Sequence, residues 1–292
     1  SLFIVAGVAL QLFIGLFQFV GADGGNCLLD FENTPCSGRI LVIIQSVING
    51  DPTGALLALA VILVTILVFL SVVWAQSLKV EIPLSYDRIR GYGVKWPLQF
   101  FYSSTLPVIL VAALIANLQL FGTLLETWLG HPTILGGFQN GQPISGFAYW
   151  VAAPNLLQGA LTGSLLGANV IQAIGHLLFY LVFSMLFSVF WVKTTGMDAS
   201  SQARNIISSG LQLPGFRKDP RVLESILSRY ILPLTIMGGL AIGALAAFAD
   251  LLGALTSGTA ILLAVMILYQ LYQNIAQQHA LDMHPALRKM MG

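Results

Sequence analysis

The chain has 292 residues, of which 57% are hydrophobic and only 9% charged, and its formal net charge is +1. A soluble domain carries about 25% charged residues, so this composition cannot cover a water-facing surface; with a mean hydropathy of +0.84 the chain belongs in a bilayer. The near-zero net charge excludes nucleic acid or an acidic substrate as a ligand of the whole surface and leaves the argument to local charge placement.

The chain is apolar from its start, with no initiator Met, basic n-region or small-residue cleavage site ahead of the first apolar run. That run is read as a membrane span rather than a signal peptide, and its abrupt start predicts that further sequence precedes Ser1. A helix crossing the hydrocarbon core needs about 20 apolar residues. Six runs meet that length: residues 2–21, 56–76, 105–124, 170–192, 230–250 and 259–276, the last with a polar end. In lipid each segment must satisfy its own backbone hydrogen bonds, which predicts an all-α, polytopic membrane protein with six transmembrane helices.

The loops give the orientation. Loop 22–55 carries one basic residue, Arg39, and loop 125–169 and link 251–258 carry none. Loop 77–104 carries four, loop 193–229 carries six, and Arg288 and Lys289 lie in the tail, so twelve of the thirteen Lys and Arg fall on one side. The positive-inside rule makes that side cytoplasmic, which places loops 77–104 and 193–229 and the C-terminus inside a plasma membrane. Of the outer loops, 22–55 is turn-rich and mildly acidic. Loop 125–169 is rich in Gly, Pro and Asn with aromatic patches, a composition that permits it to dip back toward the bilayer where protein covers its backbone.

In loop 77–104, residues 80–84 and 96–100 flank a tip rich in Arg, Gly and Tyr, which predicts a hairpin-like excursion whose prolines, Pro83 and Pro97, confine its strands to edge roles. In loop 193–229, Asp198 precedes a stretch that reads as a short amphipathic helix capped by Asp198. A turn over residues 213–220 then holds out a basic tip, and a second short helix from Arg221 to Ser228 leads into the next span. For most of these cations the positive-inside rule is reason enough. Arg88, Arg90, Arg217 and Lys218 lie farther from the membrane on turns that project them, as the phosphates of RNA or an acidic protein surface would require.

Few residues in the spans carry chemistry. His176 is the one ionisable group deep in a span; such groups are functional candidates, but the plainer reading is a hydrogen bond to a neighbouring element. Asp250 lies at an outer end within reach of water. Asn117 and Gln119 read as interhelical hydrogen-bonding residues, and Gly238, Gly239 and Gly243 permit close helix contact. Cys27 and Cys36, with eight residues between them in an outer loop, either form a disulfide, as an oxidising compartment permits, or stay two small unpaired residues. No phosphate loop, HExxH, paired CxxC or nucleophile elbow is present; no enzyme, metal site or cofactor is expected. The scarcity of midplane charge also disfavours an ion-coupled transporter.

Taken together, VEIPLSYDRIRG from Val80, KWPLQFFYSSTLPVIL from Lys95, ANLQLFG from Ala116, FWVKTTGMDA from Phe190, LPGFRK from Leu213 and MHPALRK from Met283 resemble the archaeal-type SecY family, the channel subunit of the Sec translocon. The resemblance runs from Leu2 to the end. It implies a ten-helix fold of two halves around an hourglass pore, in which the six spans are helices five to ten. Residues 1–55 would be the last helix of the N-terminal half with its outer loop, and 56–292 the C-terminal half with its two basic loops. It further implies that Ile4, Ile109 and Leu263 belong to an apolar pore ring, that Asn117 lies on the lateral gate, and that Arg88, Arg90, Arg217 and Lys218 dock the ribosome. No disulfide carries over, because the Cys27 loop is longer and more polar than the family leads one to expect.

The expected function is a passive pore, driven by a partner, for translocation of secretory proteins across the plasma membrane and lateral insertion of membrane proteins into it. Expected partners are SecE-type and small Sec beta-type subunits, the ribosome, unfolded secretory polypeptides with their signal sequences, and membrane lipid. The alternative is a secondary transporter of a small polar solute built around His176, Asn117 and Gln119.

Overall fold

The computed structural model describes residues 2–21, 27, 36–86, 93–103, 105–139, 141–209, 211–212 and 219–283. Ten helices and five strands are assigned among them. Five helices are long and apolar enough to cross a membrane: α3 (Pro52–Ser77), α4 (Leu106–Leu129), α7 (Gly167–Thr194), α9 (Pro220–Leu251) and α10 (Gly258–Met283). The chain is a multi-pass helical membrane protein.

The first apolar run forms α1 (Leu2–Phe17), 16 residues long, a rise of about 24 Å against a hydrocarbon core of about 30 Å. The expected span over 2–21 stops short because residues 18 and 19 leave the helix to pair with the outer loop. Gly38 N–H donates to the Gln18 carbonyl at 3.0 Å and Cys27 N–H to that of Phe19 at 2.9 Å. Cys27 and Cys36 are disulfide-bonded, their Cα atoms 5.3 Å apart. The amphipathic α2 (Arg39–Ile48) then folds back on α3. Asp51 caps α3, accepting from the Thr53 N–H at 3.1 Å and the Thr53 hydroxyl at 2.7 Å. The Thr53 hydroxyl, with the backbone N–H groups behind it, holds the Asp51 carboxyl below its ordinary value.

The expected hairpin is present. Strand β1 (Lys79–Tyr86) pairs antiparallel with β2 (Gly93–Gln99), from Lys79 opposite Gln99 to Ser85 opposite Gly93. The sequence did not announce a third strand, β5 (Leu211–Gln212), which joins the free side of β1 at Ser85 and Tyr86 and gives the order β2-β1-β5. β5 pairs only beyond Pro83, and β2 is an edge, so both prolines keep one flank free of ladder bonds, as a residue without an N–H requires.

Asp198 caps α8 (Ala199–Ser208), accepting from the Ser201 N–H at 3.3 Å. The separate short helix expected over Arg221 to Ser228 does not exist. Those residues are the first turns of α9, which starts at Pro220 behind the Asp219 cap and runs unbroken through Pro233. The reason is packing. Leu223, Leu227, Ile231 and Leu234 form one buried stripe that meets Ile82, Leu98, Tyr102, Ala203 and Ile206, so burial holds the helix through the junction where local signals read as a boundary. The two basic loops therefore share one core at one end of the bundle.

A second core lies between the spans: Val68 and Val72 of α3, Val108 and Val111 of α4, Tyr180 of α7, Ile242 and Ala246 of α9, and Leu262 and Val265 of α10. The long loop after α4 is structured. Its hairpin, β3 (Gly137–Gln139) with β4 (Gln142–Ser145), and two short helices, α5 (Gly146–Val151) and α6 (Leu156–Leu161), fold back over α4, α7 and α3. Gly122 is needed there, since a Cβ on it would come within 2.7 Å of the Phe138 ring.

Candidate functional site

α4 has two unlike faces. Val108, Val111 and Gly122 are buried, while Leu110, Asn117, Leu120, Phe121 and Leu124 are exposed, spaced as one stripe along the helix. Asn117 is thus an outward-facing amide in an apolar stripe. The expected interhelical hydrogen bonds of Asn117 and Gln119 are not formed among the described residues: Asn117 faces outward, and Gln119 contributes its backbone carbonyl to the Thr123 hydroxyl at 2.8 Å.

Ile4, Ile109 and Leu263 lie on α1, α4 and α10, and α10 packs against both of the others. Ile4 is exposed, and Ile109 and Leu263 are half-buried. The three helices adjoin, and each of the three positions keeps surface free for contact with something further. Arg88, Arg90, Arg217 and Lys218 lie outside the described residues. Strands β1 and β5, which border these stretches in the sequence, are paired, Tyr86 opposite Leu211. Tyr102 links the two loops, its hydroxyl donating to the Met197 carbonyl at 2.6 Å. Burial, with Asp198 nearby, pushes the Tyr102 phenol up to about 12.

His176 is buried, with Nδ1 2.6 Å from the Val151 carbonyl. With its proton there the ring holds α5 against α7, and Nε2 has no partner among the described residues. This is the plainer of the two readings of His176. Asp250 is not simply a hydrated end residue. One carboxylate oxygen accepts from the Gly258 N–H at 2.7 Å and the other from the Tyr180 hydroxyl at 3.3 Å, so it ties α7 and the start of α10 to the end of α9. No group of three or more His, Cys, Asp or Glu that could hold a metal occurs among the described residues.

The most extensive helix contact among the described residues is between α7 and α9. Ser184 donates to the Gly239 carbonyl at 2.7 Å and Ser188 to the Thr235 carbonyl at 3.0 Å. A Cβ on Gly239 or Gly243 would fall 2.8 Å from the Ser188 or Ser184 Cβ. The glycines were legible as packing residues; the serines opposite them, also four apart, carry the matching small-residue signal and were missed.

The SecY family model matches residues 1–272. The chain belongs to the SecY family. It is 40% identical to the protein translocase subunit SecY of Methanococcus vannielii over 292 residues, covering all of this chain and 61% of that protein. It is 43% identical to that of Pyrococcus furiosus, over 98% of this chain and 63% of the relative. A solved structure of a protein-conducting channel superimposes with a TM-score of 0.74 at 38% identity, covering 98% of this chain and 60% of that one. A solved structure concerned with the SecY plug domain and the closed state of the translocation channel matches equally well. The chain spans about three fifths of the length of these SecY proteins. The relatives named are translocase subunits, and nothing in the comparison supports the solute-transporter alternative.

Proposed function

We propose that this chain supplies helices five to ten of a passive protein-conducting channel, with residues 1–55 completing one half and 56–292 forming the other. The channel moves unfolded secretory polypeptides across the plasma membrane and releases apolar segments sideways into lipid. Membership of the SecY family carries this reading, and the open apolar stripe of α4 supports it. An apolar wall resists ion leakage when idle and yields around a passing chain without binding any sequence, and Ile4, Ile109 and Leu263 supply three residues of such a waist. Asn117, alone among apolar neighbours, is placed to hydrogen-bond the opposing side of a closed lateral gate. The chain performs no catalysis; energy comes from a partner.

Loops 77–104 and 193–229 and the C-terminus face the cytoplasm in this reading. Arg88, Arg90, Arg217 and Lys218, carried by these two loops, dock the ribosome, and SecE-type and Sec beta-type subunits complete the assembly. Reversing charge at Arg217 and Lys218 should weaken ribosome binding with an altered salt dependence; unchanged affinity and salt slope would remove the docking role. The reading as a whole is tested in vesicles carrying the assembled translocon that contains this chain. An unfolded secretory chain bearing a signal sequence should become protease-protected inside them. Uptake of a small polar solute without polypeptide transport would overturn the proposal.

A further inference from the structure

Arg39 is the one Lys or Arg that lies away from the basic loops and tail. It is the first residue of α2, at the end of the bundle opposite the three-stranded sheet. Arg39 is half-buried as a residue, and its guanidinium has no ion-pair or hydrogen-bond partner among the described residues. A cation with no partner in the protein is free to meet an anion from outside it.

Arg39 opens into a shallow, solvent-open cleft between α2, α3, α6 and the turn joining α9 to α10. The side-chain amides of Asn155 and Gln158 stand on the same rim, three residues apart and so on one face. Each offers N–H donors, and neither amide is engaged in a hydrogen bond among the described residues. Gly253 keeps the floor open: its φ is +66°, and a Cβ there would come within 3.2 Å of Asn155 Oδ1. The remaining walls are Leu57, Val61, Leu157 and Leu252. One cation and two amides beside an aliphatic wall match an anion with hydrocarbon attached.

The depth agrees. The 26 residues of α3 rise about 39 Å, roughly 9 Å more than the hydrocarbon core. Leu57 lies about 8 Å in from the start of that helix, so the cleft sits at an end of the span. We propose that this cleft binds the phosphate of an anionic phospholipid, with the guanidinium of Arg39 on the phosphate and the first acyl carbons against the leucine and valine wall. A zwitterionic choline lipid fits less well because its ammonium would sit beside Arg39. The site is independent of the channel reading, since it requires only that the chain span a membrane.

The test is native mass spectrometry of the purified, detergent-released protein titrated with phosphatidylglycerol, phosphatidylcholine, diacylglycerol or inorganic phosphate. The wild type should retain one phosphatidylglycerol saturably, at least about tenfold more tightly than phosphatidylcholine or diacylglycerol. Arg39→Gln should lose about tenfold in that affinity, and Gln158→Glu, which sets a carboxylate against Arg39 on the exposed face of α6, should lose a similar amount. Gln158 is exposed, so the second variant should keep its fold if the first does not. Equal binding by either folded variant, or by diacylglycerol, would overturn the proposal. So would displacement of the lipid by millimolar inorganic phosphate, which would mark a free-anion site.

Discussion

α9 and α4 are both apolar spans, yet they meet the rest of the protein in opposite ways. In the most apolar stretch of α9, 50% of residues are buried; in that of α4, only 17% are. α9 is gripped along its length: by the small-residue contact with α7, by the Asp250 bonds at one end, and by Leu223, Leu227 and Ile231 at the other. α4 is held on one face and leaves a stripe of Leu and Phe around Asn117 open. In lipid there is no hydrophobic gain from bringing two apolar helices together, so close packing and polar cross-links decide what is fixed. By that measure α7 and α9 form the frame, and α4 is the wall with a free side.

That contrast can be broken by substitution. The largest effect is expected at Gly243, where a Leu side chain must enter a contact with Ser184 and the Tyr180 carbonyl that has no room for a Cβ. Overpacking of this kind costs about 1–3 kcal/mol, occasionally more, and should appear as a lowered unfolding midpoint of the purified protein. Asp250→Ala strands the Gly258 N–H and the Tyr180 hydroxyl, and a loss of about 1–3 kcal/mol is expected in the same measurement. Ser184→Ala removes a single interhelical hydrogen bond and should cost only about 0.6 kcal/mol. If it costs as much as Gly243→Leu, the frame is held by hydrogen bonding rather than by close approach. Asn117→Leu should change stability by less than about 0.5 kcal/mol, because the side chain faces outward, yet should alter gate opening and signal-sequence stringency in the assembled channel. If both are unchanged, Asn117 has no gating part.

Tyr102 offers a pH test of the shared base under the two loops. Its phenol is raised in the folded protein, so the neutral form is favoured there. The associated stability is present below the ordinary value of 10, is lost as pH rises through about 12, and should be absent in Tyr102→Phe. Ultraviolet titration of wild type against that variant measures it.

The spans were legible because hydropathy over 20 residues is a strong signal and nothing competes with it in lipid. α4, α7 and α10 begin within three residues of their expected starts. The hairpin and the Asp198 cap were legible from local chemistry. The continuity of α9 was not, because the stripe from Leu223 to Leu234 gains its meaning from partners on β1, β2 and α8, far away in the chain. α5 and α6, six residues each, are too short to show a period, and β5 is two residues whose pairing is decided by β1. Of the site, Ile4, Ile109 and Leu263 are ordinary aliphatics that only the resemblance to SecY could single out. The Arg39 cleft combines four separate stretches and leaves no local pattern at all.

The measurement that bears most directly on the channel reading is site-specific photocross-linking to a secretory chain stalled in transit through the assembled translocon. Photoreactive residues replace Ile109 and Leu120 on α4 and, as the control, Leu232, an exposed residue of α9. The stalled chain should cross-link from Ile109, and from Leu120 when its signal sequence engages the gate, with little product from Leu232. Equal cross-linking from Leu232, or none from Ile109, would contradict the assignment of α4 as the wall along which the polypeptide passes.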